Sequence, residues 1–154
     1  MTVKKVLRRF AAVTTEIPRI HYREGLESGF MGDYESAIES FDRVNYITVG
    51  SSFWTSQSQF FKAEAYSRLN QHDKAVEEYK KFLEDNKKST KGWNNLGASY
   101  LDCNKNDEAI RCLDTAIELE LQTKNPDEVI LESALTNKAD ALIENYYITE
   151  GLEK

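Results

Sequence analysis

The sequence predicts an all-α chain, a solenoid of stacked antiparallel helix pairs. Three observations predict it. Only 2 prolines and 7 glycines interrupt 154 residues that are 40% hydrophobic and 30% charged, the balance of an ordinary folded, helix-rich chain. Apolar residues recur at helical spacing along most of the length. Small and aromatic markers also recur at one interval: Ala63 to Gly97, Tyr66 to Tyr100 and Ala75 to Ala109 are each 34 residues apart. A fixed interval of that size marks a repeated helix–turn–helix unit.

Taken in order, residues 1–17 read as a short amphipathic helix with a basic face. Val3, Val6, Leu7, Phe10 and Val13 fall at helical spacing among Lys4, Lys5, Arg8 and Arg9. It fits a cap over the first repeat, a targeting presequence, or a helix that binds a membrane surface or a partner. The cap is the favoured reading. Pro18 suits the opening turn of the next helix. Gly32 and Asp33 then supply a stop and a cap before Ala37, Phe41 and Val44. Residues 48–55 read as a loop.

In the second pair, Phe60, Phe61, Ala63, Tyr66 and Leu69 mark one helix. Residues 70–73 form a turn, and Ala75, Val76, Tyr79, Phe82 and Leu83 mark the other. Ser89 caps the third pair. Its first helix carries Trp93, Leu96, Gly97 and Tyr100, its turn is 104–107, and Ala109, Leu113, Ala116 and Leu121 follow. Asn125, Pro126, Asp127 and Glu128 read as a helix start, with Asn125 as the cap. That helix is expected to reach about 145, packing through Val129, Leu131, Leu135, Ala139 and Leu142. Tyr146 and Tyr147 then form a turn, and another helix begins at 149.

The domain reading is therefore a cap, 1–17, and a repeat domain, 18–154. Its repeats span about 18–55, 56–89 and 90–123, with a partial fourth at about 126–154. Ala37 to Ala75 is 38 residues and Gly97 to Ala139 is 42, so insertions precede the second and fourth units. Small residues at helix crossings, Gly25, Ala63, Gly97 and Ala139 on first helices and Ala37, Ala75 and Ala109 on second, allow close approach.

Trp93, Leu96, Gly97, Tyr100, Ala109, Leu113 and Ala116 together make the third unit resemble the tetratricopeptide repeat family. The second unit resembles it through Ala63, Tyr66, Ala75, Tyr79 and Phe82, and the first more loosely, with Ser28 where a tyrosine is usual. Side chains of Leu7 or Phe10 are expected to fill the volume missing at Ser28. In the fourth unit Gly151 stands where the second-helix alanine is expected. The resemblance implies a right-handed superhelix whose first helices line a concave groove for a peptide or partner helix.

Aligning the repeats nominates Arg19, Tyr22, Arg23 and Phe30 in the first unit, and Gln57, Phe60, Phe61, Glu64 and Arg68 in the second. The third supplies Lys91, Asn94, Asn95 and Asp102, and the fourth Asn137, Asp140 and Glu144. Asn94 and Asn95 can bond a peptide backbone, and Arg and Tyr suit interface anchoring. The sign runs from Arg19 and Arg23 to Asp140 and Glu144, a gradient able to orient a charged ligand. Phe60 and Phe61 point in different directions, so both serve the core or one faces the groove. The family's two-carboxylate clamp is not supported. Lys91 and Asn95 match part of it, but Tyr22, Leu26 and Phe61 replace its Lys and Asn residues.

Charge and chemistry narrow the function. The net charge is −6, yet residues 1–23 carry +5, leaving −11 for the remainder. An acidic body disfavours nucleic acid and favours basic protein partners. His21 and His72 are isolated, and no metal, nucleophile or phosphate-loop motif is present. Neither an enzyme nor a cofactor is expected. Cys103 and Cys112 read as reduced thiols near a helix-pair interface. No apolar run is long enough for a membrane span, and a cytoplasmic location is expected. The function read from these residues is a protein-interaction scaffold. The alternative is a self-assembly module that pairs with another copy through its open solenoid end, and a helical-repeat RNA binder is less favoured.

Overall fold

A computed structural model describes the backbone of residues 3–48 and 53–151, and side chains from Glu16 onward within those ranges. Seven helices and no strand occur among the described residues. The chain divides into two compact units, Met1–Asn70 and Gln71–Lys154. The division falls in the turn of the second helix pair.

In the first unit, α1 (Val3–Phe30) runs unbroken through Pro18. This corrects the reading of a separate helix ending at 17. Pro18 is buried inside the helix, where its missing N–H removes one backbone hydrogen bond without ending the element. The side chains of Leu7 and Phe10, expected to fill the volume at Ser28, lie outside the described residues. The side chains on which the capping role of 1–17 depends lie outside the described residues.

Gly32 takes φ +81 after α1, and Asp33 accepts a hydrogen bond from the Ser36 amide at 3.1 Å to start α2 (Tyr34–Ile47). α3 (Phe53–Arg68) begins earlier than expected, so 53–55 are helical rather than loop, and 49–52 lie outside the described residues. Phe41, Val44, Phe60 and Ala63 form the core of this unit. Gly25 lies so near the Phe41 ring that a Cβ there would stand 2.5 Å from it.

The second unit contains α4 (His72–Asp85), α5 (Thr90–Asp102), α6 (Asn106–Leu121) and α7 (Glu128–Glu150). Its core is Ala75, Tyr79, Phe82 and Leu83 against Leu96 and Tyr100, and then Ala109, Leu113 and Ala116. Ser89 caps α5 through the Gly92 amide, as expected. Asn70 and Asn104 both take φ 56, the left-handed conformation of Gly32. Asparagine tolerates it best among residues with a side chain. These three turn residues repeat the 38- and 34-residue intervals of the alanines.

The end of the chain departs most from expectation. The cap of α7 is Asp127, not Asn125; it accepts from the Val129 and Ile130 amides, while its own amide donates to the buried Glu120 at 2.6 Å. The helix continues through Tyr146 and Tyr147 to Glu150. Gly151, at φ +63, ends it rather than occupying a second-helix alanine position. The packed side of α7 is Ala134 and Ala141, both fully buried. Val129, Leu135, Ala139 and Leu142 are exposed and Leu131 is half-buried, so the 42-residue register was one face out. Leu121 is likewise exposed.

The glycine contacts give opposite expectations for two similar substitutions. A Cβ at Gly97 would stand 2.6 Å from Leu113 Cγ, whereas one at Gly29 would meet Ala37 at 3.8 Å, an ordinary contact. In urea denaturation Gly97→Ala is expected to destabilise by about 1–3 kcal/mol through overpacking. Gly29→Ala is expected to stabilise by about 0.5 kcal/mol through helix propensity.

Candidate functional site

The nominated side chains divide among exposed, half-buried and buried positions. In the first unit they centre on an aromatic cluster. Tyr22 on α1 lies 5.2 Å from Trp54 and 6.0 Å from Phe61, both on α3, and 6.1 Å from Phe41. The rings meet tilted or edge-to-face, the arrangements their quadrupoles favour. Burial, and then the negative charge of Glu64, push the Tyr22 phenol above its ordinary pKa, so the hydroxyl stays protonated. Phe60 belongs to the core at 5% exposure, while Phe61 stays half-buried beside Tyr22.

Charged groups surround this cluster. Arg19 pairs with Glu16 at 2.6 Å and Arg23 with Glu27 at 3.5 Å, all four exposed. Arg68 is exposed on the last turn of α3, Gln57 is half-buried, and Phe30 is 92% exposed at the end of α1. Sequence reading missed Trp54, which it left in a loop. It also missed Lys62, whose buried stem carries an ammonium to Asp42 at 2.6 Å and lies over the Tyr66 ring.

In the second unit a cleft of about 380 Å³ lies between α5 and α7. Its walls are Ala98, Leu101 and Ile143, and its polar groups are Asp102, Asn137, Asp140 and Glu144. Four nominated residues from two helices thus surround one space. Their walls carried no separate signal in the sequence, because an alanine and two branched aliphatics look like core. Asp102 also stands 3.1 Å from Nδ1 of His72, the first residue of α4. This ties the cleft to a histidine that the sequence left as a turn residue.

The two asparagines each bond to a neighbouring helix. Asn94 is 93% buried, and its Nδ2 donates to Ser133 on α7 at 3.2 Å. It therefore faces a neighbouring helix and not an open groove. Asn95 Nδ2 donates to the Tyr79 hydroxyl at 3.2 Å. Lys91 is exposed near the start of α5.

Comparisons with known proteins agree with the fold. A family model described as anaphase-promoting complex, cyclosome, subunit 3 matches residues 31–116, more than half of the chain. The photosystem I assembly protein Ycf3 of Synechococcus sp. (strain CC9605) is 30% identical over 83 residues, 53% of this chain and 46% of that protein. The chain thus spans less than half the length of that relative. The Sgt2 TPR domain from Aspergillus fumigatus matches with TM-score 0.73 and 20% identity, over 89% of this chain and 84% of that one. The first TPR of Spaghetti (RPAP3), bound to the HSP90 peptide SRMEEVD, matches with TM-score 0.72 and 17% identity, over 86% and 95%. MamA from Desulfovibrio magneticus RS-1 matches with TM-score 0.67 and 17% identity, over 95% and 80%. At these identities the structural likeness is one of fold, an all-α helical repeat.

Both cysteines are free thiols near helix-pair contacts. Cys112 lines a second, largely apolar cleft with Leu83, Trp93, Leu96 and Tyr100, and burial pushes its pKa up to about 11. Cys103 is raised by burial and by Asp73, to which its Sγ donates at 3.6 Å, but it is only half-buried. A raised thiol pKa means less thiolate at a given pH, so reactivity grows as pH rises. At pH 8 on the order of one Cys112 thiol in a thousand is ionised. Thiol titration of the folded protein is expected to label Cys103 first, with Cys112 reacting only at alkaline pH or on unfolding, as peptide mapping will read.

Proposed function

Because the chain belongs to the family described as anaphase-promoting complex, cyclosome, subunit 3, a tetratricopeptide-type repeat family, we propose that it is a non-catalytic protein-interaction module. It binds a peptide or partner helix on the exposed sides of its first helices, and its α5–α7 cleft takes a basic side chain. The cleft is the observation that carries this reading. Ala98, Leu101 and Ile143 offer apolar walls to a Lys or Arg stem, and Asp102, Asp140 and Glu144 offer carboxylates to its head. In the first unit, Tyr22, Trp54 and Phe61 suit an apolar anchor of the same class of ligand.

The acidic cleft distinguishes this chain from the RPAP3 neighbour, whose HSP90 peptide ends in carboxylates. Like charges across an interface oppose binding, so an acidic peptide is the wrong ligand here. One fold accommodates both cases, because specificity resides in the side chains it presents. Among the described residues no helix is long and apolar enough to cross a membrane.

The reading is tested by calorimetric titration with a peptide selected from a library balanced in Lys/Arg and Asp/Glu. Selection is expected to enrich basic peptides. Asp140→Asn and Glu144→Gln should each weaken binding about tenfold, roughly 1.4 kcal/mol, with helical content unchanged. Added salt should weaken the wild type more than the double variant. Enrichment of acidic peptides, or affinity untouched by both substitutions, refutes the reading.

A further inference from the structure

We propose that α7 carries a second docking face, and that its occupant is the amino-terminal half of α1 from another copy of the chain. Ala134 and Ala141 turn one side of α7 into its own unit. About a quarter-turn away, Leu135, Leu142 and Tyr146 are 50%, 49% and 59% exposed, with Leu131 half-buried on the same line. Positions 131, 135, 142 and 146 share one helical face. An apolar stripe of this kind left in water marks an interaction surface.

Charge selects the occupant. Glu128, Glu132 and Glu150 border the stripe, and Lys138, the one basic residue of α7, is held by Asp114 at 2.5 Å. Two α7 faces meeting across a twofold axis would bring these carboxylates together, which opposes that pairing. The complementary segment lies in the same sequence. Residues 3–15 carry Lys4, Lys5, Arg8 and Arg9 with no acid, and place Val3, Val6, Leu7, Phe10 and Val13 at helical spacing. They form the first half of α1, a helix of 28 residues whose hairpin partner α2 has 14. At 1.5 Å per residue α1 outruns α2 by about 20 Å, so α2 is too short to cover it. Docking α1 of one copy onto α7 of the next is head-to-tail, and such a contact propagates rather than closing as a dimer.

Sedimentation of the full chain tests this with two variants. One replaces Leu135 and Leu142 by Glu, both exposed positions. The other replaces Lys4, Lys5, Arg8 and Arg9 by Glu, with a milder set to Gln should the first lose helix by circular dichroism. The wild type is expected to grow past dimer with concentration and to dissociate in salt. Each variant alone should associate at least about tenfold more weakly. An equimolar mixture should give a dimer and nothing larger, because one intact junction remains. A wild type that is monomeric at every concentration, which includes docking within one chain, overturns the proposal. So does assembly that survives either variant, or a mixture that stays monomeric.

Discussion

Helices α5 and α6 approach at Gly97 until no room is left for a single extra carbon beside Leu113. The same relation holds where Gly25 meets Phe41, and Ala37, Ala63, Ala75 and Ala109 are fully buried at the corresponding places. Small residues at the crossing let large ones interdigitate on either side, giving the dense packing of a protein interior. With that distance set on one side of each first helix, the other side is free to vary. The residues that set the crossings are therefore distinct from those that would recognise a ligand.

The two units accordingly present different surfaces. Tyr22, Trp54 and Phe61 give the first unit a face of rings. Asp102, Asp140 and Glu144 give the second a face of carboxylates around a cleft. Side chains that bridge helices stand between the two roles. Asn95 reaches Tyr79, Asn94 reaches Ser133, and Lys62 reaches Asp42, each joining two helices near the presented surface. Such bonds fix the orientation of the groups beside them.

The fold was legible where a residue has one physical use. Glycine and alanine at fixed intervals meant close crossings, and Gly32, Asp33 and Ser89 meant a stop and two caps. Legibility failed where two uses share one pattern. Pro18 reads equally as a helix start and as an interior residue whose lost bond is tolerated, and α1 runs through it. On α7, leucines at helical spacing looked like core, yet Ala134 and Ala141 are the buried pair. Apolar spacing identifies a stripe but not which of two stripes turns inward. At the candidate site, aligning the repeats nominated Asp102, Asn137, Asp140 and Glu144, which line one cleft. The contact of His72 with Asp102 joins residues 30 apart and leaves no local trace.

The order of contacts has a consequence for how the chain folds. Within each unit a helix meets those one or two places along: α1 with α2, α2 with α3, α5 with α6 and α7. Little sequence separates the partners, so little loop entropy is lost before a contact forms. Chains of such low contact order fold fast, and helix pairs are natural nuclei for them. A nascent chain can therefore complete the α1–α2 hairpin before α4 has left the ribosome. Each later helix would then find an apolar surface already waiting.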